Sequence, residues 1–279
     1  MKRPVSVAIQ GERGSFSELA VRSLFGSRAR IVPCPDFDTL FRSAERGRTR
    51  YALAPVENTI AGSIHRVHDL LLDSRLRVSG ETIVRIEHHL IALPGVKLRE
   101  INRVYSHPVA LAQCEGFLRR HPRLERVATY DTAGSVRLLR DEKARQTAAI
   151  ASSLAARLYR ARILKSNLED HSANFTRFFL LSRSGRAIGR ADKTSVLFAT
   201  AHAPGALFRC MGVFALRDIN LLKIESRPLV GRPWEYVFHL DFEGSASEER
   251  CRNALRHLGE VCRFVRVLGS YPRAAMPRS

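Results

Sequence analysis

A polar pair interrupts one of the most apolar segments of the chain. Thr176 and Arg177 lie inside the run Phe175 to Leu181, whose other residues are apolar and typical of a buried strand. Burying a hydroxyl and a guanidinium costs free energy unless both groups find partners or face a cleft. An arginine in such a place would bind a carboxylate. We therefore predict that this strand borders an anion-binding cleft and directs both residues into it.

Four other segments place hydrogen-bonding side chains where predicted helices begin. Helix N-termini carry partial positive charge, so several that converge on a cleft would bind a carboxylate. Capping alone would explain Ser15, which with Glu18 fits a capping box. It would also explain Ser106 as an N-cap, but not Gln113, which lies two turns further along the same helical face. The segments are Ser15 to Glu18, Pro55 to Ser63, Ser106 to Gln113 and Asp131 to Gly134.

The elements that must position these residues alternate between short apolar runs and helical runs. Val5 to Ile9 is followed by a helical pattern over Ser17 to Leu24, and Ile31 to Cys34 by one over Phe37 to Ala44. Such alternation predicts mostly parallel sheets that bind ligands at the carboxyl ends of their strands. Further predicted strands are Tyr51 to Val56, Arg103 to Tyr105, Val127 to Tyr130 and Ala148 to Ala151, and one helix is predicted to carry Ala110, Leu111, Cys114, Phe117 and Leu118.

Two lobes with a cleft between them follow from this pattern. Thr82 to Leu93, which includes His88 and His89, is predicted as one long strand that crosses into a second lobe. The chain returns to the first lobe with the strand that contains Thr176. We predict a catalytic domain over residues 1–182, with lobe one at about 1–78 plus 165–182 and lobe two at about 79–164.

The last third of the chain has a different pattern. Ser182 to Asp192 is polar and contains two glycines, as is typical of a linker. Residues 193–272 then follow the order βαββαβ, which predicts a ferredoxin-like domain. Its strands are Thr194 to Thr200, Leu221 to Pro228, Trp234 to Phe242 and Arg263 to Leu268, and its helices are Gly205 to Leu216 and Ser247 to Leu258.

The formal charge of +19 raises the question of nucleic-acid binding. The arginines are scattered over nearly every segment, without a dense basic block or interleaved aromatic residues, so we expect no nucleic-acid partner. A basic surface of this kind would instead attract an anionic substrate.

Cysteines, histidines and hydropathy favour a reduced cytoplasmic location without metal. The five cysteines are widely spaced and include no Cys-x-x-Cys pair, so we expect mostly buried thiols. The histidine pairs have no third ligand at a suitable spacing, and we interpret them as structural or solvated. The apolar run after the basic start stops at Ile9, and no window is long enough to span a membrane, so neither a signal peptide nor membrane attachment is expected.

Taken together, these segments resemble the prephenate dehydratase family from about Val5 to Pro272. The resemblance implies an α/β fold with a two-lobed, periplasmic-binding-protein-like catalytic domain, followed by a ferredoxin-like ACT domain. It also implies a monofunctional enzyme, because the chorismate mutase helices are absent from the sequence. The matching motifs are Gly14 to Glu18, Pro55 to Thr59, Ser106-His107-Pro108 with Gln113-Cys114, Asp131 to Ala133, and Asn-x-Thr-Arg-Phe at Asn174 to Phe178.

The resemblance implies conversion of prephenate to phenylpyruvate, water and carbon dioxide, without a cofactor. It makes Thr176 the proton donor to the departing hydroxyl, with Asn58, Ser106 and Gln113 around that group. Our hypothesis is that Arg177 and helix-start amides hold the carboxylate of the pyruvyl side chain. The ring carboxylate must leave as carbon dioxide and should not be clamped as firmly. The expected substrate-binding residues are Ser15, Glu57, Thr59, Ser63, Thr132, Arg177 and Phe178.

An ACT-like domain implies regulation by L-phenylalanine at an interface of a homodimer or homotetramer. Coupling free energies of about 1 to 3 kcal/mol are typical of such regulation. The residues that resemble the family's phenylalanine-binding motifs are Gly205, Ala206, Leu207, Asn220, Leu221, Glu225, Ser226, Arg227 and Pro228.

Two alternatives stay open at the level of sequence. Arogenate dehydratase performs the same elimination on the transaminated substrate and shares these motifs. A two-lobed cleft could also belong to a solute-binding protein without catalysis. A dinucleotide is not expected, because the segment Gly11 to Glu18 is not a complete Gly-x-Gly-x-x-Gly fingerprint.

Overall fold

Strands and helices alternate through most of the computed structural model, which describes residues 4–229, 231 and 234–277. The strands are β1 (Ser6–Gln10), β2 (Arg30–Cys34), β3 (Tyr51–Asn58), β4 (Gly62–Ser63), β5 (Arg77–Arg85), β6 (His89–Ala92), β7 (Arg103–Ser106), β8 (Glu125–Ala128), β9 (Thr147–Ala151), β10 (Arg162–Lys165), β11 (Phe175–Ser182), β12 (Lys193–Ala199), β13 (Leu221–Pro228), β14 (Tyr236–Glu243) and β15 (Phe264–Tyr271). The helices are α1 (Phe16–Phe25), α2 (Phe37–Glu45), α3 (His65–Asp73), α4 (Pro108–Gln113), α5 (Glu115–Arg119), α6 (Thr132–Asp141), α7 (Ser153–Leu158), α8 (Ala206–Ala215) and α9 (Glu249–Val261), with a 3₁₀ turn at Leu98–Glu100.

The chain divides into two compact units. The first contains the residues up to Val67, Thr82–Phe178 and the chain end from Met276, and the second contains His68–Glu81 and Phe179–Ala275. Three elements, α3, β5 and β11, therefore begin in one unit and end in the other. His68–Glu81, which we predicted within the catalytic domain, belongs to the second unit. The predicted lobe and domain limits stay predictions.

The first sheet of the first unit has the order β2-β1-β3-β11-β5, with β4 beside β3. The strand β1 pairs in parallel with β2 on one side and with β3 on the other. The connection that leaves β1 leads to β2 at one edge, whereas the chain that leaves β3 leads to β5 at the other edge, so a crevice opens between the carboxyl ends of β1 and β3. Val7, Ala8 and Ile9 of β1 are completely buried, so this strand lies in the interior of the sheet.

The second sheet of the first unit repeats this arrangement. Its order is β10-β6-β9-β7-β8, and β7 pairs in parallel with both β8 and β9. A second crevice therefore opens at the carboxyl end of β7, where α4 begins. The antiparallel strands β6 and β10 complete the sheet. The predicted α/β architecture with two sheets is confirmed.

The second unit contains the order β12-α8-β13-β14-α9-β15, which confirms the predicted βαββαβ pattern. Its sheet has the order β13-β14-β12-β15, and neighbouring strands are antiparallel. Phe198, Phe214 and Phe242 are buried in the core that the sheet forms with α8 and α9. A buried ion pair also lies in this unit, where Lys193 Nζ is 3.0 Å from Glu81 Oε2.

The prediction of one long strand over Thr82 to Leu93 is wrong. β5 ends at Arg85, β6 begins at His89, and three residues outside any strand separate them. Their backbone amides bind distant partners: Ile86 N–H donates to Asn174 O, and His88 N–H donates to a Glu169 carboxylate oxygen at 2.8 Å. These long-range hydrogen bonds provide partners for backbone N–H groups between the first sheet and the second, and local hydropathy does not reveal them.

The single helix predicted over Ala110 to Leu118 is also interrupted. It splits into α4 and α5 at Cys114, whose ψ of 24° is not helical. The amide of Gly116 donates to the Asp170 carboxylate at 2.9 Å, so α5 begins with a partner far away in the sequence. The elements β4, β10 and α7 were not predicted, since they are short and have weak hydrophobic periodicity.

Candidate active site

The carboxyl ends of strands from both sheets of the first unit meet around an open cavity of about 400 Å³. Gln10 ends β1, Asn58 ends β3, and His107 directly follows β7. Ligands bind at this edge of α/β sheets because helix N-termini gather there. The cavity is lined by Gln10, Phe16, Ser17, Phe37, Pro55, Asn58, Ala61, Ile64, Ile86, His88, His107, Val109, Ala110, Gln113, Thr132, Thr176 and Phe178.

Thr176 lines this cavity, and the side chain of Asn58 holds its hydroxyl. Asn58 Nδ2 donates to Thr176 Oγ1 at 3.0 Å and to Asn174 Oδ1 at 2.8 Å. Asn58 Oδ1 accepts from the backbone amides of Ile60 and Ala61, which determines the end of the side-chain amide that meets Thr176. An N–H group directed at a hydroxyl oxygen stabilises the negative charge that appears when the hydroxyl gives up its proton. This geometry is compatible with the predicted role of Thr176 as a proton donor.

Gln113 extends this polar cluster. Its Oε1 accepts from Asn174 Nδ2 at 3.0 Å, and its Nε2 donates to Asn58 Oδ1 at 3.4 Å. The structure thus brings together Asn58, Gln113 and Thr176, which are widely separated in sequence. Asn174 joins them, although we did not include it in the predicted site; its position two residues before Thr176 in the strand motif was the available signal.

Ser106 does not take the position that we expected. Its side chain is fully buried, does not line the cavity, and donates to Ile150 O at 2.6 Å, which ties β7 to the neighbouring strand β9. The expectation that Ser106 caps the following helix is wrong. The N-cap of α4 is His107, whose Nδ1 accepts from Val109 N.

A smaller side pocket of about 180 Å³ lies next to the cavity and shares Gln10, Phe16, Ser17, His107 and Thr132 with it. Ser15 lines only the side pocket and, as predicted, caps α1 by accepting from Glu18 N at 3.4 Å. Asp131 caps α6 in the same way by accepting from Gly134 N at 2.7 Å. Residues from the first turns of both α1 and α6 therefore line the same space, where the helix N-termini carry partial positive charge.

Arg177 and Glu57 lie away from the cavity lining. Arg177 Nη2 is 3.1 Å from Glu57 Oε2, so the two residues form an ion pair. Successive side chains of a strand point to opposite sides, and Thr176 and Phe178 therefore line the cavity while Arg177 does not.

Thr59 and Ser63 are also not lining residues. Thr59 Oγ1 donates to Ala173 O at 2.8 Å and accepts from Phe175 N at 2.9 Å, so it fastens the start of β11 to the turn after β3. Ser63 lies in β4, between the lining residues Ala61 and Ile64.

Among the described residues, no lysine or arginine lines the cavity or the side pocket, although the chain is strongly basic. An anion in this space would therefore be bound by helix amides and by neutral donors such as hydroxyl and amide groups. The carboxylate of Asp131 faces the side pocket, and burial raises the pKa of this group above its ordinary value.

His88 is a site residue that we did not recognise from the sequence, where it was interpreted as a structural or solvated histidine in a strand. It lies in the break between β5 and β6, lines the cavity and is only 2% exposed. His88 Nε2 lies 3.0 Å from Gln113 Oε1, and burial lowers the pKa of the imidazole. No local pattern marks this histidine, because the break itself depends on distant partners.

The residues that resemble phenylalanine-binding motifs lie in two places of the second unit. Gly205 is the N-cap of α8 and adopts a left-handed conformation with φ of 72°, and Ala206 and Leu207 begin the helix. The other residues belong to β13 or directly precede it. Asn220 comes just before the strand, Leu221 begins it, and its second half contains Glu225, Ser226, Arg227 and Pro228. Glu225 is 3.0 Å from Lys223 Nζ, and Arg227 is 3.1 Å from Asp69 Oδ1.

Three properties of the described residues bear on cofactor and membrane chemistry. They contain no cluster of three His, Cys, Asp or Glu side chains that could hold a metal ion. None of their helices has the length and apolarity needed to cross a membrane. All five cysteines are unpaired, and four are buried, in agreement with the prediction of mostly buried thiols.

Comparison with known proteins gives a consistent result. A family model described as prephenate dehydratase matches residues 7–186. The protein named arogenate dehydratase/prephenate dehydratase 2, chloroplastic, from Arabidopsis thaliana is 44% identical over 279 residues, which cover 96% of this chain and 73% of that protein.

Two solved structures are similar over almost the whole chain. Prephenate dehydratase from Arthrobacter aurescens in complex with L-Phe has a TM-score of 0.88 and 34% identity, and the match covers 96% of this chain and 90% of that one. GqqA, described as a novel type of quorum quenching acylase, has a TM-score of 0.87 and 33% identity, with coverage of 96% and 97%.

The fold and the site define an α/β protein of the periplasmic-binding-protein type, with hydroxyl and amide side chains at the wall of its cavity. The family model covers more than half of the chain, and the sequence relative agrees with it. The chain belongs to the prephenate dehydratase family, and it is a hydro-lyase.

Proposed function

We propose that this protein converts prephenate to phenylpyruvate, water and carbon dioxide in the formation of phenylalanine. The observation that carries the proposal is the Thr176 hydroxyl at the cavity wall, with Asn58 Nδ2 donating to its oxygen at 3.0 Å. The plant relative is named for both arogenate and prephenate dehydration, so arogenate dehydratase is the alternative.

Thr176 donates the proton that turns the departing hydroxyl into water. The carbon–carbon bond to the ring carboxylate breaks, its electron pair moves through the ring, and the carbon–oxygen bond to the hydroxyl breaks at the opposite ring carbon. Carbon dioxide, water and an aromatic ring result, and Thr176 regains one proton from solvent. Asn58 stabilises the alkoxide that forms meanwhile, and proton donation by a positioned group is worth about 10² to 10⁴ in rate.

The wall of the cavity suits the ring and the loss of its carboxylate. Phe37, Pro55, Ile64, Ile86 and Phe178 provide apolar surface for a cyclic substrate. A lysine or arginine beside the ring carboxylate would stabilise the charge that must disappear, and the described lining contains neither. The apolar setting therefore lowers the barrier to decarboxylation relative to a charged one.

The first turns of α1 and α6 are the proposed binding site for the pyruvyl carboxylate. Ser17 and Thr132 lie in the first turns of these helices and line the cavity, so their hydroxyls and nearby amides surround the same space. Our sequence-based hypothesis placed Arg177 on this carboxylate, but Arg177 is paired with Glu57. In the present proposal, Arg177 stabilises the position of its strand and contributes positive charge at a distance, and it does not bind the substrate directly.

The charge of the side pocket favours prephenate over arogenate. The two substrates differ in a keto or an ammonium group, and an ammonium needs a carboxylate partner. Asp131 is the only carboxylate in the described lining, it already caps α6, and burial raises its pKa. A keto oxygen instead needs a donor, such as the hydroxyl of Ser15 or Thr132.

The second unit is the proposed regulatory domain, an ACT domain that binds L-phenylalanine. Support comes from its βαββαβ order and from the bacterial relative that was solved in complex with L-Phe. We retain the predictions of a homodimer or homotetramer and of a cytoplasmic location, together with the residues on α8 and β13 as the effector site.

The decisive experiment offers prephenate and arogenate separately to the purified protein and follows phenylpyruvate and phenylalanine by chromatography. We expect phenylpyruvate from prephenate at a kcat/KM at least tenfold above that for arogenate. The reverse preference would make the protein an arogenate dehydratase. No product from either substrate would overturn the lyase proposal and leave a binding protein or an amide hydrolase, as the name of the acylase relative suggests.

A further inference from the structure

The imidazole of His88 contacts the polar cluster at the cavity wall through Gln113. We propose that His88 is a positioning residue that holds the side-chain amide of Gln113 in one orientation, an inference that rests on the proposed dehydratase function. His88 and Gln113 are in contact through Nε2 and Oε1 at 3.0 Å, and both line the cavity.

The hydrogen bonds around Gln113 determine the tautomer of His88. Gln113 Nε2 points toward Asn58 Oδ1, so Gln113 Oε1 is the end that meets His88 and Asn174. A carbonyl oxygen only accepts, and His88 Nε2 must therefore carry the proton. The same oxygen also accepts from Asn174 Nδ2 at 3.0 Å, so two donors converge on it.

The other ring nitrogen excludes a role for His88 as the acid. His88 Nδ1 is buried and has no hydrogen-bond partner among the described residues. A second proton there would be buried unpaired beside Phe16, whose ring meets the imidazole edge to face at 5.4 Å. The nearby ionisable groups are Glu169, whose carboxylate accepts the His88 backbone amide, and His89. The imidazole is thus a neutral donor with one proton, and that proton is occupied by Gln113.

The orientation of Gln113 has a consequence for catalysis. Rotating its amide by 180° would point its NH₂ group at Asn174 Nδ2 and its oxygen at the acceptor Asn58 Oδ1, so both contacts would become repulsive. The contact with His88 would also become repulsive as long as His88 Nε2 carries the proton. With the observed orientation, Gln113 uses one N–H for Asn58 and presents the second to a ligand in the cavity. His88 therefore maintains a hydrogen-bond donor next to the reacting hydroxyl while not touching the substrate's reacting atoms itself.

A double-mutant cycle on kcat tests this role. We expect His88→Leu to lower kcat at least tenfold in the parent but less than twofold in a Gln113→Ala background, because the effect of His88 passes through Gln113. His88→Gln restores an N–H donor at a similar reach and should recover most of kcat. His89→Leu is the matched control: this neighbour accepts from Asn167 N, is absent from the cavity lining, and should keep near-parental kcat.

Three results would overturn the proposal, provided that the variants remain folded by circular dichroism. They are an equal loss of kcat in both backgrounds, a His88→Gln variant as impaired as His88→Leu, and the disappearance in His88→Gln of a limb of the kcat pH profile. The last result would mean that His88 transfers a proton.

A measurement without substrate separates this proposal from the proposed function. Nitrogen-15 NMR of the imidazole should show a neutral ring protonated at Nε2 throughout the range around pH 6.5 in which ordinary histidines titrate. A ring protonated at Nδ1, or an imidazolium, would refute the tautomer and with it the positioning role. If that tautomer is observed but neither prephenate nor arogenate is consumed, the dehydratase function fails while the geometry of Gln113 stands.

Discussion

Replacing Thr176 by valine isolates the hydroxyl that the mechanism depends on. Valine has nearly the same shape, so the lining of the cavity keeps its form while the proton donor disappears. If the hydroxyl delivers the proton to the leaving group, kcat should fall by about 10² to 10⁴, the range typical of a positioned acid. KM should change less, because the helix-start amides and the apolar wall still bind the substrate.

The cost of this substitution to stability can be worked out from the contacts of Asn58. Asn58 Nδ2 loses Thr176 Oγ1 but keeps Asn174 Oδ1 at 2.8 Å and Phe175 O at 3.1 Å. The donor is therefore not left unsatisfied, and the loss of one hydrogen bond costs about 1 kcal/mol of unfolding free energy. For a chain of this size, that corresponds to a decrease in Tm of about 2 to 4 °C.

Steady-state kinetics with prephenate and a thermal melt measure both effects on the same preparation. Thr176→Ser is the control, since serine keeps a hydroxyl and should retain substantially more kcat than valine. If Thr176→Val keeps kcat within tenfold of the parent while folded, Thr176 is not the proton donor, and the role that we assign to Asn58 falls with it.

Two further predictions concern the second unit. Glu225→Ala should raise the L-phenylalanine concentration that gives half of the maximal effect on activity by about tenfold or more, consistent with usual coupling energies. The control Glu243→Ala on β14 should leave that concentration unchanged. Identical titration curves for the parent and Glu225→Ala would show that Glu225 is not part of the effector site. Burial lowers the pKa of His239 to about 3, so below pH 6.5 the unfolded chain binds a proton that the folded chain does not, and stability falls as the pH decreases toward 3. From pH 7 to pH 5 this group should lower the unfolding free energy by about 2 kcal/mol, and urea titrations should show a correspondingly smaller loss for His239→Asn; equal losses would contradict it.

Much of the fold was predictable because its signals are local. The strand around Thr176 was predicted as Phe175 to Leu181 and is β11 (Phe175–Ser182), and the βαββαβ order of the second unit followed from hydrophobic periodicity alone. The caps at Ser15 and Asp131 were also predictable, since a capping side chain binds an amide only three residues away.

Breaks within elements were not predictable, because distant partners cause them. β5 ends just before Ile86, whose N–H donates to Asn174 O, and α5 starts beside Gly116, whose N–H donates to the Asp170 carboxylate. In each case, the partner lies more than fifty residues away, and no window of local sequence contains both groups. His88 lies in the first of these breaks, which is why its place in the cavity was missed.

The candidate site shows which features were predictable from the sequence and which depend on the tertiary structure. From the sequence alone, Thr176 was noticed as a polar residue in an apolar strand, and the resemblance to the family placed Asn58 and Gln113 around it. We predicted that both Thr176 and Arg177 face the cleft, but only Thr176 lines the cavity, because neighbouring side chains along β11 point to opposite sides and Arg177 pairs with Glu57. Tertiary structure alone directed Ser106 to Ile150 O and His88 to Gln113, because these partners lie 44 and 25 residues apart in the sequence and only the folded chain brings them together.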